Sequence, residues 1–197
     1  MIRIISSLFF SVLLFTGCIT KEIPSYETYS LLLNEDTSKN TTIKKNSSIK
    51  IEEPKALRSI NTTSILYSKK AYQQNEYVLS KWSDTPSKMV QKIISEKLSQ
   101  EKSFSFVSTP EIKISTDYKL NTKIIKLLHQ FDNDKSYALL SIKAYLTDNK
   151  TGQIAVKNFE YRTLAENNNA YGFVKGMNDS INMFSTDLSI WLEKTVR

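Results

Sequence analysis

The chain has 197 residues, 27 of them Lys or Arg against 20 Asp or Glu, for a formal charge of +7, with one histidine, one cysteine and four glycines. A lone cysteine excludes an intrachain disulfide, and with one histidine it excludes a zinc site of the ordinary Cys/His kind. The glycines stand at 17, 152, 172 and 176, so there is no glycine-rich phosphate loop.

In chain order, Arg3 and the α-amino group precede Ile4 to Phe15, a stretch without charge. Its length suits a signal-peptide core and falls short of the about 20 apolar residues that span a bilayer. Leu14-Phe15-Thr16-Gly17-Cys18 follows, a small residue and then the only thiol. This pattern resembles a bacterial lipobox. Residues 1–17 are then a lipoprotein signal peptide, and Cys18 is the lipidated first residue of the mature chain. A diacylglycerol on sulfur and a further acyl chain such as palmitate on the new amino group give a firm anchor, where one chain holds only marginally. The competing reading is an ordinary signal peptide with an incidental cysteine. Residues 18–25 read as a tether, and 26–197 have the length of one domain.

Tyr26 to Leu33 reads as a first strand, and Asn34 to Ser48 as a polar loop. Ile49 to Ile51 starts a strand stopped by Pro54. Ser64 to Tyr67 and Glu76 to Leu79 are short strands around the polar turn Ser68 to Asn75. Thr85-Pro86 marks a helix start, with Thr85 as cap and proline at the first helical position. Met89, Val90, Ile93, Ile94 and Leu98 then recur at helical spacing. Phe104 to Val107 reads as a buried strand. Tyr118, Leu120, Thr122 and Ile124 alternate with polar residues, and the phase slips at Ile124-Ile125, as a bulge would make it. Phe131 to Lys135 is a turn. Ala138, Leu140, Ile142, Ala144 and Leu146 form one face of the next strand. Asp148 to Gly152 turns again into Ile154 to Leu164, completing an antiparallel meander. Val174, Met177, Ile181, Phe184, Leu188 and Trp191 form a continuous helical stripe. Asn167 to Asn169 offer caps, and Gly172 and Gly176 weaken the first turn. The fold class is α/β: a mixed, largely antiparallel sheet flanked by two long helices, in a single domain.

No catalytic constellation emerges. His129, at a strand end, reads as an edge or surface residue rather than a base. Asp84, Glu96, Glu111, Asp117 and Glu160 are scattered over surfaces and turns, and no Gly-x-Ser-x-Gly elbow is present. The chain reads as no enzyme, with no cofactor and no metal. The lysines are spread along the sequence, a pattern of solvated surface rather than of a nucleic-acid site. An anionic membrane or an acidic partner is the weaker inference. Tyr67, Tyr72, Tyr77 and Trp82 cluster, and are either core or a strip for a partner or lipid.

Several blocks in order resemble one family. Tyr29-Ser30-Leu31-Leu32 looks like its opening strand, and Ile49 to Pro54 with Leu57-Arg58 like its second. Ile65-Leu66-Tyr67-Ser68, then Tyr77 and Lys81-Trp82-Ser83-Asp84-Thr85-Pro86, resemble its distinctive Tyr-strand and Trp segment before a helix ending in Ile94 to Leu98. Tyr118-Lys119-Leu120 and two long strands complete the likeness over Tyr26 to Leu192. The family is the ABC-type transport auxiliary lipoproteins (PqiC-like). The resemblance implies a non-catalytic docking or conduit role in moving phospholipid between inner and outer membranes, beside an ABC permease, its ATPase and a periplasmic MCE-domain protein. It also implies the periplasmic face of the outer membrane, and Ile19 after Cys18 agrees with export there. Tyr67, Tyr77 and Trp82 are taken as the partner- or lipid-contact residues; the resemblance implies their positions and not that role. An adaptor lipoprotein of another envelope complex is the alternative, and a homo-oligomer, such as a ring, stays open.

Overall fold

The computed structural model describes residues 25–34 and 45–196. The expected signal peptide, Cys18 and most of the tether lie outside the described residues, as do residues 35–44 of the polar loop. Nine strands among the described residues form one sheet. They are β1 (Glu27–Tyr29), β2 (Ser48–Ile51), β3 (Lys55–Ala56), β4 (Ser64–Ser68), β5 (Asn75–Trp82), β6 (Phe106–Ser108), β7 (Tyr118–Asp132), β8 (Lys135–Asp148) and β9 (Ile154–Leu164). The helices are α1 (Pro86–Gln100) and α2 (Ala170–Thr195). The expected class is what the structure has: a mixed sheet with a large antiparallel part and two helices.

β7 is the spine. One edge pairs along its length with β8, which pairs in turn with β9, both antiparallel. The other edge is shared by three short parallel strands. β2 meets Tyr118 to Leu120, β3 meets Lys123-Ile124, and β4 meets His129-Gln130. β6 extends β2, while β5 and then β1 extend β4. The bulge expected at Ile124-Ile125 is present, as the register with β8 shifts between Ile124 and Lys126. The extra residue restores the inward phase, so Leu127 opposes Leu140 just as Ile124 opposes Ile142.

Both helices cover one face and share one core with it. The stripe of α2 is buried from Phe173 to Leu192. Ile93, Ile94 and Leu98 bring α1 against Ile49 and Ile51. Asp117 joins three elements: it accepts from the Ser48 amide (2.9 Å) and hydroxyl (2.7 Å) and pairs with Lys150 at 2.8 Å.

Four details differ from the sequence expectation. Thr85 does not cap α1 with its hydroxyl, which is buried without a partner. The side chain of Asn61, from the loop before β4, accepts from the Ser87 amide instead (3.1 Å). Phe104 is buried ahead of β6 rather than within it, and Phe106 is 41% exposed. The first turn of α2 is built around its glycine rather than weakened by it. Asn169 accepts from the Gly172 amide at 2.9 Å, and a Cβ on Gly172 would fall on the Asn167 backbone. Lastly, the lysines that are dispersed in sequence are gathered by register on the sheet face away from the helices. Lys50 opposes Lys119, and Lys123 lies between Lys55 and Lys143.

Candidate functional site

Two neighbouring features stand out near the α2 side of the β4–β5 hairpin. The first is a file of aromatic rings from core to surface. Trp82, at the end of β5, is 1% exposed and meets Phe173 of α2 with ring centroids 5.9 Å apart. Phe173 stacks on His129 (5.0 Å, 17° between planes), and His129 meets Phe131 at 4.5 Å. Tyr77 reaches the imidazole, its hydroxyl 2.8 Å from Nδ1. Tyr67 packs on Tyr77 at 4.8 Å. Lys69 closes the outer end, its ammonium 5.7 Å from the Tyr67 centroid and 5.5 Å from that of Phe131.

His129 is therefore no surface residue, contrary to the sequence expectation. It is 0% exposed, because the phase shift at the bulge turns it inward. Its Nε2 has no partner, and burial lowers its pKa to about 4, which keeps it neutral near pH 7. Burial, reinforced by Tyr67, pushes the Tyr77 hydroxyl up to about 12, so it stays protonated. A sealed neutral imidazole whose partner is a phenol is an element of packing, not a working base. Among the described residues no group of three His, Cys, Asp or Glu side chains is placed to hold a metal ion.

Of the expected contact residues, the structure brings Tyr67 and Tyr77 together, half-buried, and places Trp82 beneath them in the core. Trp82 has no surface to offer in this conformation and supports the two tyrosines from below, through Phe173 and His129. Tyr72 forms the hairpin tip, fully exposed and with φ 63°. β1 pairs only with Ser80 to Trp82, so the outer edge of β5 from Asn75 to Leu79 has no strand beside it among the described residues. Val78 (80% exposed) and Leu79 (46%) lie on that open edge. The hairpin thus presents apolar and aromatic side chains together with unpaired backbone, the two things an added strand uses.

The second feature is a strap that the sequence reading took for strand. Only Glu27–Tyr29 pairs as one. Ser30 to Asn34 runs extended along α2 and is held by two asparagines one helical turn apart. Asn178 accepts from the Leu32 amide (2.7 Å) and donates to the Ser30 carbonyl (3.2 Å). Asn182 accepts from the Asn34 amide (2.8 Å) and donates to the Leu32 carbonyl (3.0 Å). Each carboxamide thus binds the chain as a neighbouring strand would. The available signal was Asn178 and Asn182 at i, i+4 in a helix interior, where asparagine is a poor choice. Beyond the strap a groove of about 500 Å³ opens between the helices, lined by Leu33, Lys97, Asn182, Met183 and Asp187. The double variant Asn178→Ala/Asn182→Ala is expected to free the strap while the sheet stays folded. Hydrogen exchange at the Leu32 and Asn34 amides should accelerate by roughly ten- to a hundredfold, from about 1–3 kcal/mol of lost bonding. Unchanged protection would show that Leu31 alone holds the strap.

Among the described residues no helix is long and apolar enough to cross a membrane. Curated proteins give no significant match. Among solved structures, protein XCC0632 from Xanthomonas campestris superimposes with a TM-score of 0.75 at 13% identity, over 85% of this chain and 95% of that one. An uncharacterized protein gives 0.68 at 14% identity, over 85% and 99%. These likenesses establish the fold. Residues 29–189 match the family model described as ABC-type transport auxiliary lipoprotein component. That match runs from the last residue of β1 into the last turns of α2 and takes in the ring file and the strap. The chain belongs to the ABC-type transport auxiliary lipoprotein family, a cell-envelope component that assists ABC transport.

Proposed function

We propose that this chain is the lipid-anchored docking component of an ABC/MCE-type system moving phospholipid between the inner and outer membranes. The observation that carries this reading is the family match over residues 29–189. Residues 1–17 direct export, Cys18 carries the acyl chains, and the short tether to Ser25 holds the body on the periplasmic face of the outer membrane. The chain's task is protein contact, not chemistry. Lipid tails need a continuous apolar shield through the aqueous periplasm, since each exposed methylene costs about 0.8 kcal/mol. A periplasmic MCE-domain protein supplies that shield, and this domain holds its end at the membrane. Tyr67 and Tyr77, with Tyr72, Val78 and Leu79 on the same hairpin, form the contact, and Trp82 backs it from the core.

The test is purification of the native lipoprotein from envelopes. An MCE-domain protein, with the permease and ATPase of the same system, is expected to come down with it. Tyr67→Ala/Tyr77→Ala is expected to reduce that recovery at least tenfold while the protein remains folded. Labelling with palmitate should mark the wild type and not Cys18→Ser. Recovery of only an unrelated envelope complex would overturn the transport role in favour of an adaptor for that complex.

A further inference from the structure

The sheet face away from the helices carries an arrangement that the packing does not explain. Ile49, Ile51, Leu120, Ile124, Ile142 and Ala144 point to the helix side and are fully buried. Their neighbours in sequence point the other way, and four of these are lysines; Lys55 beside Ala56 and Lys126 past the bulge bring the number on this face to six. Lys50 opposes Lys119. Lys55, Lys123 and Lys143 stand at one level on three adjacent strands, and Lys126 follows at the bulge, opposite Ser141.

Like charges directly opposite one another destabilise a sheet. None of the six forms an ion pair among the described residues, where the ion pairs lie elsewhere. Glu53, exposed, lies two residues before Lys55. Glu52 follows the end of β2, and Glu160 lies across Ser141 from Lys126. Asp132 is engaged by Arg162 at 3.0 Å. Lys143 lies 5.4 Å from the ring centroid of Tyr145, and Val156 beside Tyr145 is 50% exposed. The face is broad and basic, with aromatic and aliphatic side chains set among the ammonium groups.

We propose that this face is a docking surface for an anionic phospholipid membrane, a second contact in addition to the acyl anchor. Charge complementarity identifies the occupant. A row of unpaired ammonium groups repels itself until an extended anionic surface neutralises it, and interfacial aromatics suit the headgroup zone. The location rests on lipidation at Cys18, part of the reading above. Seven residues of tether from Cys18 to Ser25 reach no more than about 25 Å, so the body is kept beside the bilayer. Acyl chains plus a polybasic patch are the two signals that make membrane attachment durable. Contact through the sheet face turns the helices and the strap away from the membrane.

The test is binding of the chain from residue 18 to 197 carrying Cys18→Ser, which retains every described element. The probe is phosphatidylcholine vesicles with and without phosphatidylglycerol. The parent is expected to bind only the anionic vesicles and to be released by raised salt. Lys55→Gln/Lys123→Gln/Lys143→Gln is expected to bind on the order of a hundredfold more weakly. Its thermal midpoint should equal or exceed the parent's, since three like charges are gone. The corresponding triple arginine variant should bind as the parent does. Equal binding by parent and glutamine variant, or no anionic preference in the parent, would overturn the proposal. So would a glutamine variant that loses only a co-purifying acidic protein from native envelopes, which would give the face to a protein. No transport partner is present in the vesicle assay, so its failure leaves the docking role untouched.

Discussion

Replacing Phe173 with alanine is expected to lower the stability of the domain by about 3–5 kcal/mol, as for other fully buried phenylalanines. The side chain is 0% exposed and lies between Trp82 and His129. It is the contact through which the first turn of α2 grips the β5 and β7 strands. Removing it opens a cavity beside a histidine nitrogen that already lacks a partner. With total stabilities near 5–15 kcal/mol, such a loss is a large share of the whole. Urea unfolding should show it as a lower midpoint with the slope preserved. Phe173→Leu, which keeps most of the volume, should lose less than half as much. Ile190→Ala, at a position 45% exposed, should change little. A loss below about 1 kcal/mol for Phe173→Ala would show that the ring file is dispensable to the core.

Acid should destabilise the fold in a window set by His129. An unfolded imidazole titrates near 6.5, and burial lowers that of folded His129 to about 4. Between these values the unfolded chain takes up a proton that the folded chain refuses. The contribution of the neutral imidazole is complete above about pH 6.5 and declines as the pH falls toward 4. The full difference is on the order of 3 kcal/mol. Asp117 acts in a separate window. Hydrogen bonding from Lys150, and then from Ser48, holds its carboxyl well below the usual carboxylate range. Its contribution is present above the ordinary aspartate value, near 3.8, and disappears only below it. His129→Phe should flatten the stability profile between pH 7 and 4 and leave the steeper fall below pH 4 in place. Parallel profiles for His129→Phe and wild type would mean that His129 is hydrated and charges freely.

Much of the framework was legible in the residues. The meander of β7 to β9 followed from period-two patterning, and the bulge from two adjacent isoleucines. The stripe on α2 marked its buried face, and the helix runs four residues beyond the stripe at each end. Failures arose where a partner came from far away in sequence. Leu31 to Leu33 reads as the end of a strand, but its backbone hydrogen bonds run to asparagine side chains on a helix nearly 150 positions later. Thr85 looked like a cap, and the cap came from Asn61. His129 looked exposed because it was read as a lone histidine at a strand end, whereas β7 runs on to Asp132 and the phase set by the bulge turns it inward. At the site, the pairing of Tyr67 with Tyr77 was within reach of sequence reasoning, since both belong to one hairpin. The depth of Trp82 was not, because the ring it meets, Phe173, comes from α2, about 90 positions later. The lysine face was invisible because the six residues belong to four strands and meet only through register.

The division of one β7 edge among three short strands has a consequence for how the chain comes into being. Synthesis runs from the amino end, so β1 to β6 exist before the strand that organises most of them. β2, β3 and β4 each form parallel pairs with β7, across separations that make such contacts slow. The local hairpins of β7, β8 and β9 assemble quickly once complete, and then recruit the waiting segments. The order of emergence is thus the reverse of the order of durable pairing, and the first half of the molecule must be kept from premature association until the last third arrives.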